Sequence, residues 1–342
     1  MGRYGWRWGI AAVATVAAGL LWADGTFTNP VIQADWPDPV VIDGGDGTFY
    51  SDATGLRTVR SSKNLIDWTD TGIDPLTPEA RKSLTAISGN IWAPCMVKLN
   101  GKWLIYVSLY LNDVDCRIEI LSAGKPTGPF SYEREIINGP AVKIMNAIDP
   151  YVVKTDGRVW LFFGSCQDGV HRVELTADGL AIKPGATFSH VAGLRFDPSK
   201  KMWGLPGTWE GTYLLNRHGW WYLFVSGGKY NDHTYYLTVG RGKTIDGAFF
   251  DREGHSMREG LAKPILSSEK GDALYGPGHN GEVYTSVDGR DWIFFHSHDT
   301  GFKPPERPTF LQELKWDAEG WPCFEGGKPQ RTQPRFVLPK QS

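Results

Sequence analysis

The sequence predicts an all-β chain folded as a five-bladed β-propeller. Two observations carry this. One unit recurs five times at intervals of roughly 50–70 residues: a polar or charged residue, a short apolar run, a Gly turn, then a run rich in Trp, Tyr and Phe. Each copy also carries a turn dipeptide at a similar offset: Asp46-Gly47, Asn100-Gly101, Asp156-Gly157, His218-Gly219 and Asp288-Gly289. Such dipeptides between apolar runs mark hairpins, because both turn residues must accept positive φ.

The copies follow in chain order. DPVVIDGGDGTFYSD begins at Asp38, APCMVKLNGKWLIYVS at Ala93, DPYVVKTDGRVWLFFGS at Asp149, EGTYLLNRHGWWYLFVSGG at Glu210 and HNGEVYTSVDGRDWIFFHSH at His279. Further strands are expected after the hairpins. Residues 117–122 are followed by Gly128-Pro129-Phe130, and residues 235–240 by Gly247-Ala248-Phe249. These echoes fit the four strands of a propeller blade. A two-sheet sandwich accounts for recurrent hairpins but not for this regularity.

The 342 residues carry a formal net charge of −2 and no basic run, which excludes a nucleic-acid partner on electrostatic grounds. The 15 tryptophans chiefly fill blade cores, and a few are expected as flat platforms for sugar rings. Residues 1–23 read as a secretory signal, with Arg3 and Arg7 before an apolar, Ala-rich stretch and Ala23 as cleavage position; an uncleaved N-terminal anchor is the alternative. Residues 24–342 then form one exported domain. Cys95, Cys116, Cys166 and Cys323 match no zinc spacing and read as free, mostly buried thiols, although Cys95 and Cys116 fall in one blade.

In a propeller the first strand of each blade lines the axis, so residues at one offset face one end of the channel. Asp38, Asp149, Glu210 and His279 are expected to converge there. Clustered carboxylates at an aromatic-rimmed mouth suggest glycoside hydrolysis, which needs one carboxylic acid and one carboxylate. Asp38 and Glu210 belong to blades 1 and 4, which are not neighbours, and a wide spacing favours inversion. The charge of Asp149 should raise the pKa of Glu210 and keep it protonated, as a general acid requires. An isolated Asp at a strand start reads as a cap or turn residue; three carboxylates in register do not. The His279 imidazole has three open roles: a cation ligand, a substrate contact or a core hydrogen bond. His296 and His298 could also point into the channel.

The segments NPVIQADWPDPVVI, IWAPCMVKLNGKW, NAIDPYVVKTDGRVWLFFGS, EGTYLLNRHGWWYLFVS, GPGHN and LKWDAEGWP together resemble glycoside hydrolase family 43, over residues 29–322. NAIDP with WLFFGS, and GPGHN, look most like the arabinan endo-1,5-α-L-arabinanase branch. The resemblance implies an inverting five-bladed propeller with Asp38 as general base, Glu210 as general acid and Asp149 as pKa modulator. It implies Ca2+ held by His279 through a largely water-filled shell, and no organic cofactor. Trp36, Trp92, Ser165, Trp209 and Arg307 are the candidate sugar-binding residues.

Cys95 stands where relatives usually carry an acid, Cys166-Gln167-Asp168-Gly169 follows Ser165, and Gly-Thr follows Glu210; these departures are expected around the cleft and bear on substrate choice. The expected partner is an oligo- or polysaccharide, taken by a monomer. An exo-acting α-L-arabinofuranosidase or β-xylosidase is the alternative, with residues 70–89 and 185–209 as expected cleft walls. A non-catalytic carbohydrate-binding propeller is the remote alternative; it would keep the aromatic platforms and lose a carboxylate.

Overall fold

The computed structural model describes residues 25–303 and 306–339, so the expected signal at residues 1–23 lies outside the described residues. Five antiparallel sheets follow one another along the chain. Blade 1 comprises Val40–Asp43, Phe49–Asp52, Arg60–Ser62 and Trp68–Asp70. Blade 2 comprises Ile91–Leu99, Lys102–Tyr110, Cys116–Ala123 and Ser131–Asn138. Blade 3 comprises Tyr151–Thr155, Arg158–Ser165, Gly169–Leu175 and Ser189–Ala192. Blade 4 comprises Trp209–Arg217, Trp220–Gly227, Tyr236–Gly242 and Pro264–Leu266. In blade 5 the first strand is split into Leu274–Gly278 and Val283–Thr285, both paired with Asp291–Asp299, before Thr309–Trp316 and Pro322–Cys323.

The core is five wedges, one between each pair of neighbouring blades. Leu104, Tyr106, Leu161 and Phe163 fill the wedge between blades 2 and 3; Phe162, Trp209, Leu223 and Phe249 fill that between blades 3 and 4. Residues 70–89 carry the helix Pro78–Ile87, capped by Thr77, whose Ala80 and Leu84 pack into the wedge between blades 1 and 2. Apolar burial on both faces of each sheet is what the continuous apolar second strands require; every residue of Asp291–Asp299 is buried.

The hairpin turns split into two kinds. Asn100-Gly101, Asp156-Gly157 and His218-Gly219 have positive φ at both residues, as expected. At Asp46-Gly47 and Asp288-Gly289 only the glycine does, a correction that follows from their longer loops.

A left-handed kink precedes or interrupts each first strand. φ is 54° at Asp38, 41° at Ala93, 56° at Asp149, 62° at Gly211 and 43° at His279. The kinked residue of blade 4 is therefore Gly211, and Glu210 stands one position earlier than the repeat predicts. Each kinked amide donates to a side chain of the preceding blade: Ala93 to Thr54 Oγ1 (2.8 Å), Asp149 to Ser108 Oγ (2.9 Å), Gly211 to Asp149 Oδ2 (2.9 Å), His279 to Ser226 Oγ (2.7 Å) and Asp38 to His296 Nδ1 (3.2 Å). These five bonds run once round the ring.

The ring closes through both ends of the described chain. Thr26–Thr28 pairs with Thr332–Pro334, and Val31 N–H donates to the Thr309 carbonyl. Asn29, fully buried, accepts from Leu311 N–H at 2.9 Å and donates to the Leu311 and Gln330 carbonyls at 2.9 and 3.0 Å. Asn29→Ala leaves three backbone groups, the two of Leu311 buried and that of Gln330 half-buried, without that partner. We expect a loss of about 2–3 kcal/mol, read as a lower denaturant midpoint with an unchanged slope.

Candidate active site

The kinks bring Asp38 and Asp149, and the residue before the fourth kink, Glu210, to one cleft of ≈ 710 Å³. His279, Ser165 and Arg307 share that cleft. Gly211 is needed beside Glu210, because its φ is positive and a Cβ there would lie 3.0 Å from His279 Cγ.

Asp38 is held from two sides. Thr54 Oγ1 donates to its Oδ2 at 2.6 Å. Around Oδ1 lie His279 Nδ1 and His296 Nδ1, both at 3.2 Å, and Arg307 Nη1 at 3.5 Å. Burial opposes ionisation of Asp38, yet His279, Arg307 and His296 outweigh it and hold the carboxyl well below its usual range. Burial itself drives both imidazoles toward neutrality, with His296 pushed down to about 3, so Arg307 is the standing positive charge. Asp38 is therefore a carboxylate.

Glu210 meets the opposite environment. Tyr235 Oη donates to Oε1 at 2.8 Å and Ser165 Oγ to Oε2 at 3.4 Å. Burial raises its pKa; the Tyr235 hydrogen bond opposes this, the charge of Asp38 adds to it, and Arg307 opposes it. The rise thus comes first from burial rather than from a neighbouring charge, a correction to the sequence reading. Asp149 is raised further, by burial and then by the charges of Glu210 and Asp38. Two carboxyls driven toward the acid form face one driven toward the base form, the pattern that separates an acid from a base.

The candidate sugar-binding residues divide. Trp92 lies against Tyr110 with ring centroids 4.4 Å apart and 16° between planes, and both line the cleft. Ser165 and Arg307 also line it, with the Arg307 guanidinium 4.7 Å over the Tyr230 ring. Trp36 and Trp209 do not. Trp36 is 1% exposed and donates from Nε1 to Ser51 Oγ; Trp209 is 0% exposed and donates to Tyr236 Oη. Both are packing residues, a correction to the expected role.

Of the two expected walls, residues 185–209 supply one, through Phe196, Lys200, Lys201, Met202 and Trp203. Residues 70–89 supply none, because their helix packs between blades. Met145, Asn146 and Asp113 line the cleft along with Tyr110. The departure at Asp168 has a structural role: its Oδ1 accepts from Arg195 Nε at 2.6 Å and Phe196 N–H at 2.9 Å, anchoring the wall. Cys166 lines the cleft, whereas Cys95 is buried in the wedge between blades 2 and 3, its thiol pushed up to about 12 by burial. Cys95 therefore does not shape the cleft, contrary to expectation. All four cysteines are free thiols.

Thr54 and Tyr235 carry no sequence signal, lying outside the repeated strand starts; His296 was visible only as one of two histidines ending a strand. His279 suits a cation in two respects. Burial favours the neutral imidazole that can ligate a metal, and Nδ1 faces a carboxylate, which leaves Nε2 free. The adjoining Asn280 Oδ1 is buried and unpartnered. The one three-ligand His/carboxylate group among the described residues is Asp251, Glu253 and His255, in the loop after the third strand of blade 4.

The sequence profile described as Glycosyl hydrolases family 43 matches residues 27–322. Extracellular endo-α-(1→5)-L-arabinanase 1 of Bacillus subtilis is 30% identical over 331 residues, covering 91% of this chain and 95% of that protein. Extracellular exo-α-(1→5)-L-arabinofuranosidase ArbA of Cellvibrio japonicus is 29% identical over 313 residues, covering 85% and 86%. The structure of Cellvibrio cellulosa α-L-arabinanase complexed with arabinohexaose superposes with a TM-score of 0.73 at 26% identity, covering 86% of this chain and 96% of that one.

Arg307 lowers the pKa of both Asp38 and Glu210. Arg307→Gln should therefore move both limbs of the kcat/KM–pH profile upward. With Asp38 as base and Glu210 as acid, the expected roles, the acid limb follows the Asp38 pKa and the basic limb the Glu210 pKa. A profile that only shrinks, without moving, would count against these assignments.

Proposed function

The chain belongs to glycosyl hydrolases family 43 and is an inverting O-glycosidase, and from that premise we propose that it cleaves α-1,5-arabinan, with endo action as its principal mode. The observation that carries this reading is the opposed displacement of Asp38 and Glu210 in one cleft. Asp38 takes a proton from the attacking water. Glu210 gives a proton to the departing glycosidic oxygen, so that the C–O bond breaks as the new one forms on the opposite face of the sugar. Asp149 holds the Gly211 amide, and with it the strand that carries Glu210. Trp92 on Tyr110 offers a flat apolar face to a pentose ring.

Exo action is the second reading. It is favoured by the wall of residues 196–203 on one side of the cleft and by the exo-acting relative. His279 and Asn280 would hold a calcium ion, with waters completing its shell. Such an ion would supply a fixed positive charge near Asp38. The extracellular names of both relatives support export, and no described helix is long and apolar enough to cross a membrane.

Two measurements test the reading. Proton NMR and chromatography of products from linear arabinan should give a ladder of oligosaccharides with inverted anomers; arabinose alone would replace endo with exo action. Glu210→Ala should lose about 10²–10⁴-fold on arabinan and far less on a dinitrophenyl arabinoside, which needs little protonation. Asp38→Ala should lose comparably on both, and equal losses in the Glu210 variant would reject it as the acid.

A further inference from the structure

Tyr235 has no place in the mechanism so far, yet it touches the machinery at both ends. Its hydroxyl donates to Glu210 Oε1 at 2.8 Å, and Glu210 is the one hydrogen-bond partner of that hydroxyl among the described residues. Its ring lies parallel to His296, with centroids 5.6 Å apart and 3° between planes. His296 in turn borders Asp38. The ring is fully buried and lies behind the cleft, whereas Ser165, on the other oxygen of Glu210, lines the cleft.

Gly278, part of GPGHN, explains how the ring is held. Its φ lies outside the left-handed region, so conformational freedom is not the reason for glycine there. Gly278 is the strand partner of His296, and a Cβ on it would lie 2.6 Å from Tyr235 Cδ1 and closer still to Cε1. The missing side chain is the seat of the tyrosine.

Resting on the arabinan-hydrolase reading, we propose that Tyr235 is a positioning residue for proton donation: it occupies Glu210 Oε1 and so directs the transferable proton to Oε2, the oxygen on the cleft side. A carboxylic acid carries one hydrogen on one oxygen. While Tyr235 donates to Oε1, that oxygen serves as acceptor and the acid's own hydrogen resides on Oε2. The reverse arrangement, with Oε1 donating to the phenol oxygen, would leave the buried phenolic hydrogen without an acceptor. During cleavage the Oε2–H bond breaks as the glycosidic oxygen takes the proton and its bond to the sugar carbon breaks. The attacking water loses its proton to Asp38. Tyr235 keeps its own hydrogen and stabilises the carboxylate that forms on Glu210, an interaction stronger after proton transfer than before it.

The test compares arabinan with aryl arabinosides of graded leaving-group acidity. Tyr235→Phe keeps the ring and its seat. We expect kcat/KM on arabinan to fall about 10- to 100-fold with KM little changed, and activity on the dinitrophenyl arabinoside to fall less than about threefold. The dependence of rate on leaving-group acidity should steepen. Gly278→Ala, which displaces the ring, should steepen it in the same way. Equal losses on both substrates in a folded Tyr235→Phe protein, or a wild-type dependence in a folded Gly278→Ala protein, would overturn the proposal. A wild-type enzyme inactive on both substrates would instead overturn the arabinan reading on which it rests.

Discussion

The structure depends on one backbone device, the left-handed kink at the mouth of each blade. A non-glycine residue there costs roughly 1–2 kcal/mol, and a kinked amide cannot join its own sheet. In each blade the amide is satisfied by a side chain from the blade before it. One device therefore does two things: it turns selected side chains toward the axis, and it links the five sheets edge to edge. In blade 4 the acceptor is itself one of the three carboxylates, Asp149, so the scaffold and the chemistry share an atom.

The difference between the carboxyls follows from what the kinks place around them. Asp38, Asp149 and Glu210 are all buried, and burial alone would drive all three toward the neutral acid. Asp38 escapes because a guanidinium, two imidazoles and a hydroxyl converge on it from blade 5, blade 1 and the segment before Thr309. Glu210 receives two hydroxyls and, among the described residues, no ion pair. Asp149 receives a backbone amide and two neighbouring negative charges. Sequence distance is no guide here: beside the nearby Thr54, the imidazoles and the guanidinium around Asp38 come from residues 279–307.

Much of this was legible in the sequence, because repetition exposes what a single copy hides. The blade order, the three carboxylates and the place of His279 all follow from aligned strand starts. Side-chain direction was less legible. In a propeller both faces of a sheet are buried, so aromatic content does not say which face meets the cleft. Trp209 immediately precedes Glu210 and therefore points to the opposite side of its strand, into the wedge between blades 3 and 4. Trp36 sits in a small cluster with Ile32 and Ala53. The one-residue displacement of Glu210 was hidden because Gly211 carries the kink without a side chain to mark it. Tyr235 and Thr54 lie at the ends of inter-strand segments, where neither periodicity nor turn chemistry assigns a direction.

The pairing of Thr26–Thr28 with Thr332–Pro334 sets the order in which the molecule can be completed. Strands within a blade are neighbours in sequence, so four of the five wedges can assemble as the chain emerges. The fifth needs Phe27 from one end and Phe336 from the other, packed around Trp292. That wedge also contains the junction that brings Arg307 and His296 to Asp38. The surroundings of Asp38 are thus completed by a contact of very long sequence separation, the slowest kind to form. A chain that emerges gradually can finish its blades before it finishes the Asp38 environment, which waits for the pairing of Thr26–Thr28 with Thr332–Pro334.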